Sequence, residues 1–379
     1  MPNKKVLLLY ISEISGHHHA TIAIENALKF LNPGVETLNL NAFNYTNPIT
    51  EKIVNRLYMS IIKRTPGIWD YLYDNPSVII RTQKLKESIH RHNSPKLQKL
   101  FDTFKPDVVV CSQAFPCGMV ADFKKSFNYN VPLMGILTDY APHSYWIYDT
   151  VNYYIVPHED VKERLIHKGV EASKIRPCGI PIDPRFSVKH DRVELAKQFD
   201  LSIDKPIILS MGGGQGLGPI NKVVTAFKKM RLDSQLIVVC GTNTKLYEKL
   251  MNKVKNIKKK AAIFQFISSI DELMEIASLI ITKPGGLTTA EALAKGLPML
   301  IIKPLPGQEE INTTFLLNKG AAVKVTNDKL LPQVMQELIS NPSVMQQMKD
   351  AALRISRPNA SLDVARLILE LCSTTSSTA

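Results

Sequence analysis

Residues 281–292 read Ile281-Thr282-Lys283-Pro284-Gly285-Gly286-Leu287-Thr288-Thr289-Ala290-Glu291-Ala292. A short β-branched run ends at Thr282, a Pro-Gly-Gly turn follows, and a helical pattern begins near Leu287. A strand that leads through a glycine turn into a helix is the repeating unit of parallel α/β folds. The backbone N–H groups at such a helix N-terminus are unpaired and can bind an anion.

The same unit recurs along all 379 residues. The candidate strands are short runs rich in β-branched residues: Val6–Ile11, Val35–Leu40, Val108–Ser112, Leu133–Leu137, Tyr153–Val156, Ile207–Met211, Leu236–Cys240, Ala262–Phe266, Leu279–Thr282, Met299–Ile302 and Ala322–Val325. Between the two series, Cys178–Phe186 contains two prolines and a glycine, which suits an extended linker. We therefore predict an α/β protein of two Rossmann-like domains, residues 1–183 and 184–379, with a ligand cleft between them at the strand C-termini.

The composition is that of a globular protein, with 45% hydrophobic and 21% charged residues. No apolar run reaches the roughly 20 residues that span a bilayer, and the apolar stretch after Lys5 is too short for a signal peptide. Five scattered cysteines without Cys-x-x-Cys spacing favour reduced thiols in a cytoplasmic protein.

The formal net charge of +13 suggests an anionic partner. Residues 45–105, predicted to be an insertion in the first domain, hold eleven Lys and Arg against five Asp and Glu. An apolar stripe at helical spacing there is bordered by basic residues and followed by an aromatic cluster. The residues we single out for membrane contact are Lys52, Arg56, Tyr58, Lys63, Arg64 and Trp69.

Two interpretations of this segment stay open, a helix packed on its own domain and a helix that docks on an anionic membrane surface. A second basic run, residues 245–260, has seven Lys against one Glu, and we interpret it as a solvated helix face. No zinc-finger, RNP or helix-turn-helix signature supports a nucleic-acid partner.

Several residues of the second half have the chemistry to bind a nucleotide sugar. Gly213 and Gly214 lie in the glycine-rich loop 212–218, which indicates either a phosphate contact or a tight turn. Glu291 lies about one turn into the helix after the Pro-Gly-Gly turn, where a carboxylate can accept both ribose hydroxyls. Gln308 and Glu309 follow another strand, and an amide with a carboxylate suits adjacent sugar hydroxyls.

In the first half, Gly16 and His17 follow the first strand. An imidazole at this position can take a proton from an acceptor hydroxyl. His18 and His19 could add a metal site, but neighbours on a helix point about 100° apart and cannot share one ion. We interpret these two as surface residues. No Asp-x-Asp occurs, so we expect no metal.

These stretches together resemble one family. The matching residues are Ser15-Gly16-His17, Leu137-Thr138-Asp139, Gly179-Ile180-Pro181-Ile182-x-Pro184-x-Phe186, Lys283-Pro284-Gly285-Gly286 and Pro306-Gly307-Gln308-Glu309. The chain resembles the monogalactosyldiacylglycerol synthases and processive diacylglycerol glucosyltransferases, which are related to the lipid-linked N-acetylglucosaminyltransferase of peptidoglycan synthesis. It departs from that pattern at Ser12-Glu13-Ile14-Ser15, where the family often has more glycine, and in its 212–218 loop.

The resemblance implies a GT-B fold, a UDP-sugar donor and inversion at the anomeric carbon. It implies that His17 is catalytic. We interpret Asp139, at a strand end, as the residue that orients His17, as a second acid/base group, or as a capping residue. The resemblance also implies Glu291 at the ribose, Phe266 and Ile267 at the uracil, and Gln308 and Glu309 at the sugar. The turn and helix N-terminus formed by Lys283, Pro284, Gly285, Gly286, Leu287 and Thr288 are our predicted diphosphate site. His143 and Trp146 would line the acceptor side, or else simply pack.

We therefore predict an enzyme at the cytoplasmic face of a membrane that moves glucose or galactose from a UDP-sugar to diacylglycerol. Alternatives within enzymes are a polyprenyl-diphosphate-linked acceptor or epimerisation of a nucleotide sugar. A catalytically idle UDP-sugar-binding regulator is a third alternative, although it would have no need of His17.

Overall fold

The computed structural model describes residues 3–13, 15–46 and 94–375. The chain forms two compact units. The first comprises Met1–Pro184, Pro306–Gln308 and Asn359–Ala379, and the second comprises Arg185–Leu305 and Glu309–Pro358.

The first unit is built on a six-stranded parallel sheet with the order β2-β1-β3-β4-β5-β6. Its strands are β1 Lys5–Tyr10, β2 Glu36–Asn41, β3 Val108–Cys111, β4 Leu133–Ile136, β5 Tyr153–Ile155 and β6 Ile175–Arg176. Its helices before the linker are α1 Gly16–Leu31, α2 Ala42–Thr46, α3 at 94–104, α4 Ala114–Phe127 and α5 Glu159–His167. Strands β3 and β4 are buried along their whole length because helices cover both faces of a parallel sheet.

The second unit repeats this architecture, with the sheet order β12-β11-β10-β7-β8-β9. Its strands are β7 Ile207–Met211, β8 Gln235–Val239, β9 Ala261–Phe264, β10 Leu279–Thr282, β11 Met299–Ile302 and β12 Ala322–Val325. Its helices are α6 Arg192–Gln198, α7 Ile220–Lys229, α8 Thr244–Val254, α9 Ile270–Ile276, α10 Gly286–Ala294, α11 Gln308–Lys319, α12 Leu331–Ile339 and α13 Pro342–Ile355.

The eleven predicted strands are all present, with ends that differ by at most two residues. Strand β9 ends at Phe264 rather than Phe266, so Phe266 lies in the following loop. Strand β6 was not predicted because it has only two residues, too few for a recognisable pattern.

The last helix, α14 Ala360–Thr375, corrects the predicted domain boundaries. The sequence assigned it to the second domain, but its apolar residues pack in the core of the first unit against α1 and β1. The residues that meet there are Val364, Ala365, Ile368 and Cys372 of α14 with Ile24, Ala27, Leu28, Val6 and Leu8. The position of α14 at the end of the sequence gave no indication that this helix packs on the first unit.

Helix α3 corrects the C-terminal end of the predicted insertion. Leu97, Leu100 and Phe101 are buried, and the ring of Phe101 lies 5.0 Å from that of Phe123 in α4. Residues 94–104 are therefore domain core rather than a membrane-facing segment. The six basic and aromatic residues predicted to contact a membrane, at positions 52–69, lie outside the described residues.

Each sheet contains one point where the strand order reverses. In the first, β1 leads to β2 on one side and the chain then returns to β3 on the other side. In the second, β7 leads to β8 and β9 on one side, and β10 lies on the other. Ligands of open α/β sheets bind outside the carboxyl ends of the strands at such points. A ligand site is therefore expected at the loops after β1, β3, β7 and β10.

Among the described helices, none is both long enough and apolar enough to cross a membrane.

Candidate active site

His17 lies at the reversal point of the first sheet, in the first turn of α1. Its Nδ1 atom is 2.9 Å from the backbone carbonyl oxygen of Ser112, which directly follows β3. The Thr138 hydroxyl, two residues beyond β4, is 2.8 Å from the same nitrogen. Three adjacent strands thus place His17 through the loops that follow them.

The hydrogen bond to Ser112 determines the tautomer of the ring. A carbonyl oxygen can only accept, so Nδ1 of His17 carries the proton and donates it. The Thr138 oxygen is then a second acceptor for that N–H. The lone pair of the neutral ring is therefore on Nε2, the nitrogen that a general base would use.

Burial lowers the pKa of His17 from its ordinary 6.5 to about 4, and the hydrogen bond to Ser112 opposes this shift only in part. The charged form of a ring in this position is poorly solvated. His17 is consequently neutral at pH 7, the protonation state that a proton acceptor needs.

The N-terminus of α1 has its own cap. The Ser15 hydroxyl accepts a hydrogen bond from the backbone N–H of His18 at 3.2 Å, and it donates to the Ser12 carbonyl at 2.7 Å. Ser15 therefore fixes the start of the helix that carries His17. The motif Ser15-Gly16-His17 did not by itself indicate this capping role.

The interpretation of His18 as a surface residue was wrong. Its ring stacks on Tyr10 with centroids 4.0 Å apart, and its Nδ1 is 2.8 Å from the Glu13 carbonyl oxygen. His18 thus packs the loop between β1 and α1. Across the described residues, no group of three His, Cys, Asp or Glu side chains is arranged to hold a metal ion.

The two residues predicted to line the acceptor side, Trp146 and His143, differ in how deeply they are buried. Trp146 is 4% exposed, and its ring lies 3.4 Å from the place where a Cβ on Gly135 of β4 would be. It is a core residue with little surface left for an acceptor, which corrects its assignment. His143 and Asp139 are half-buried. Asp139 directly follows Thr138, whose hydroxyl contacts His17, and its role stays a prediction.

In the second unit, the loop after β7 is a tight turn. Leu217 N–H donates to the Gly212 carbonyl at 3.0 Å, and Gly216 N–H donates to Gly213 at 2.9 Å. Gly213 has φ +69°, and a Cβ there would meet no atom within 4 Å. Gly214 is exposed and its carbonyl is held by Thr242 N–H at 2.9 Å. The structure thus supports the tight-turn interpretation and also leaves open space beside Gly213 for a ligand.

The turn after β10 lies against this loop, since a Cβ on Gly218 would be 3.4 Å from the Lys283 side chain. Helix α10 begins at Gly286, with Gly285 as N-cap and no side-chain cap. The first helical bond runs from Thr289 N–H to the Gly285 carbonyl, 2.9 Å. The N–H groups of the three preceding residues are therefore not used within the helix, as an anion site requires.

Lys283 and Glu309 were predicted to bind the donor, but they bind each other. Lys283 Nζ is 2.8 Å from Glu309 Oε1, and both side chains are 13% exposed. Glu309 Oε2 accepts from Leu305 N–H at 2.7 Å. Both carboxylate oxygens of Glu309 are thus engaged in holding loops together, which differs from a direct contact with sugar hydroxyls.

Asn312 is a residue that the sequence analysis missed. Its side chain is fully buried in the second turn of α11, and Nδ2 donates to the Pro284 carbonyl at 2.9 Å. With the Lys283–Glu309 pair, it ties the Pro-Gly-Gly turn to α11 at two consecutive residues. Glu309 and Asn312 are three residues apart and therefore lie on one face of the helix. This spacing is the sequence feature that could have indicated a role for Asn312.

The remaining donor residues lie at the carboxyl ends of the same sheet. Glu291 is nearly buried in α10, Leu287 and Thr288 are half-buried, and Gln308 begins α11. Phe266, after β9, is 61% exposed, an unusual position for a phenylalanine, and Ile267 beside it is half-buried.

Two family models match the chain. The model described as monogalactosyldiacylglycerol (MGDG) synthase matches residues 17–182, and that of the glycosyltransferase family 28 C-terminal domain matches residues 207–364. A processive diacylglycerol β-glucosyltransferase of Bacillus cytotoxicus is 31% identical over 370 residues, which cover 97% of this chain and 94% of that protein.

Solved structures share the fold at lower identity. MurG of Acinetobacter baumannii superposes with a TM-score of 0.62 at 16% identity, covering 97% of this chain and 99% of that one. UDP-GlcNAc 2-epimerase of Neisseria meningitidis gives 0.63 at 14% identity, covering 97% and 100%. These likenesses confirm the GT-B fold class, and the full-length relative establishes the family. The chain therefore belongs to the family 28 glycosyltransferases that include the monogalactosyldiacylglycerol synthases and the processive diacylglycerol β-glucosyltransferases.

Proposed function

We propose that this glycosyltransferase moves a glucosyl group from UDP-glucose to the free hydroxyl of diacylglycerol, with inversion at the anomeric carbon. The observation that carries the proposal is the neutral ring of His17, oriented by Ser112 so that Nε2 is its basic nitrogen. A catalytically idle binding protein would need the donor contacts but not an oriented base. Glucose is preferred over galactose because the relative that matches over its full length is named a glucosyltransferase.

In the proposed reaction, the acceptor oxygen attacks the anomeric carbon as the bond from that carbon to the UDP oxygen breaks. Nε2 of His17 takes the hydroxyl proton. That proton becomes strongly acidic once its oxygen has bonded to carbon, so a base with a pKa of about 4 suffices when the transfer is late. The resulting imidazolium readily returns its proton to water, because its pKa is low.

The departing UDP carries negative charge. In our proposal, this charge is met by the free N–H groups of Gly286, Leu287 and Thr288 and by the dipole of α10. The loop at Gly213 lies close to the same turn through Gly218 and Lys283. Glu291 would bind the ribose, Gln308 the sugar, and the exposed ring of Phe266 the uracil.

We further propose that the protein works at a membrane surface, because diacylglycerol does not readily leave a bilayer. An anionic surface suits a chain with a net charge of +13. The predicted contact through Lys52, Arg56, Lys63, Arg64 and the neighbouring aromatic residues is part of this proposal.

The test is incubation of the protein with radiolabelled UDP-glucose or UDP-galactose and vesicles that contain diacylglycerol, followed by thin-layer chromatography of the lipids. We expect a labelled glycolipid from UDP-glucose and almost none with a His17→Ala variant. A parallel incubation supplies a polyprenyl-diphosphate-linked acceptor instead of diacylglycerol. Label transferred only to that acceptor, or conversion of the donor without lipid product, would overturn the proposal.

A further inference from the structure

The positive charge of this chain is concentrated in one part of the second unit. Residues 221–260 contain eleven Lys and Arg but only two Asp and Glu, and so account for nine of the thirteen net positive charges. The sequence pattern of residues 245–260, taken alone, predicts a solvated helix face. The structure shows how these charges are distributed over α7, α8 and the segment that follows.

Some of these lysines have structural partners. Lys222 pairs with Asp328, and Lys260 pairs with Asp200. Lys259 Nζ donates to the carbonyls of Phe227 and Met230 at 2.8 and 2.9 Å, where it caps the end of α7. These three lysines therefore already bind other groups of the protein.

Seven others form what we call the lysine surface, and none of them is in an ion pair with a described residue. They are Lys228, Lys229, Lys245, Lys249, Lys253, Lys255 and Lys258. Six are exposed, and Lys253 is half-buried. Lys245, Lys249 and Lys253 are spaced four residues apart, so they share one face of α8.

Tertiary packing joins the two helices of this surface. Lys253 Nζ bonds to the backbone carbonyl and the side-chain oxygen of Asn221 in α7, at 2.9 and 2.7 Å. Burial, and then the like charges of Lys249 and Lys228, lower the pKa of Lys253. The lysines at the end of α7 are therefore close enough to those of α8 to repel them, and together they produce a strong local positive potential.

We propose that the lysine surface binds the anionic headgroups of a lipid bilayer, which gives the second unit a membrane contact of its own. This inference rests on the proposed function in one respect, that the acceptor lies in a bilayer. Met251 is 39% exposed and lies one helical turn before Lys255, and it supplies an apolar group that can enter the headgroup layer. The charges are almost all lysines, whose long stems suit a diffuse layer of phosphates. A single-stranded nucleic acid would favour exposed aromatic platforms and arginines instead.

The test compares two variants with the same loss of charge. One carries Lys228→Gln, Lys245→Gln, Lys249→Gln and Lys258→Gln. The control carries Lys189→Gln, Lys349→Gln, Arg354→Gln and Arg357→Gln, which are exposed positions of the same unit outside the lysine surface. Binding of each full-length protein is measured by co-sedimentation with phosphatidylglycerol/phosphatidylcholine vesicles at two salt concentrations, with phosphatidylcholine vesicles and a short DNA duplex as comparisons.

We expect the first variant to bind anionic vesicles about tenfold or more weakly than the control, with the difference shrinking at high salt. Equal binding by the two variants, absence of vesicle binding by the unaltered protein, or a selective loss of DNA binding would overturn the inference. Glycosyl transfer to a dispersed short-chain diacylglycerol is measured in parallel. If that activity is absent from the unaltered protein, the proposed function fails, whereas the vesicle comparison still decides whether this surface binds lipid.

Discussion

The Nδ1 atom of His17 and the backbone carbonyl oxygen of Ser112 are 2.9 Å apart, and this hydrogen bond spans the point where the strand order of the first sheet reverses. It connects the first turn of α1, the helix that follows β1, with the residue that follows β3. Because a backbone carbonyl can only accept, the bond selects the tautomer of the ring without any carboxylate.

Replacing His17 by Ala should lower kcat for transfer to diacylglycerol by about a hundredfold, the scale of lost general-base catalysis. UDP affinity, measured by calorimetry, should stay nearly unchanged because the residues predicted to contact the diphosphate, the ribose and the uracil belong to the second unit. His19→Ala, at an exposed neighbouring position, is the matched control. Comparable turnover in the His17 variant would remove this residue from the mechanism.

The pKa of His17 makes the folded protein sensitive to acid. The folded state keeps this ring neutral down to about pH 4, whereas the unfolded chain protonates it near 6.5. Between these values the unfolded state binds more protons, so the free energy of unfolding falls as the pH drops from about 6.5 to 4. Urea unfolding at pH 7.5 and pH 5 should therefore show a larger loss for the unaltered protein than for His17→Gln. An NMR titration that places the His17 pKa near 6.5 would contradict the argument.

Glu291→Ala should weaken UDP binding by about 1.5–3 kcal/mol, the scale of hydrogen bonds to a charged group. Glu337→Ala, an exposed position in α12, is the control for loss of one carboxylate from a helix of the same unit. Calorimetry that gives the same UDP affinity for both variants would disprove the ribose assignment.

Asn312→Ala should leave the Pro284 carbonyl without its buried donor and cost about 1–3 kcal/mol in the free energy of unfolding. Since Pro284 precedes the N-terminus of α10, UDP affinity should fall as well, although Asn312 is not expected to touch the nucleotide. Asn312→Asp is the sharper variant because a carboxylate has nearly the same shape but cannot donate. If Asn312→Asp binds UDP normally, the turn does not depend on this bond.

Transfer activity should survive an excess of EDTA. The sequence has no Asp-x-Asp, and the described residues offer no cluster of metal ligands. The negative charge of UDP would then be stabilised by backbone N–H groups without a metal ion. Complete loss of activity that is restored by added magnesium or manganese would overturn this prediction.

The sequence predicted the strands well because their patterns are local. Four strands of the first unit, β1, β3, β4 and β5, and four of the second, β7, β8, β10 and β11, contain short runs of buried residues. The two-residue strand β6 is too short to contain such a run. The end of β9 was predicted two residues too late because Phe266 is apolar and looks like a strand residue, although it is exposed in the following loop. The packing of Trp146 and His18 was also not predicted. A tryptophan in a loop, or one histidine among three consecutive histidines, gives no indication from sequence of how it packs.

The sequence by itself determined the alternation of strands and helices, the glycine turns at the strand ends and the candidate chemistry at those turns. These features follow from periodicity and backbone conformation, which depend on neighbouring residues. Only the tertiary structure decided which nitrogen of His17 is free, that Glu309 pairs with Lys283, and that α14 returns to the first unit. Each of these depends on residues far apart in the chain that meet only when the sheets form. Hydrogen bonding and burial act over a few ångströms of space, whereas a sequence pattern records only distance along the chain.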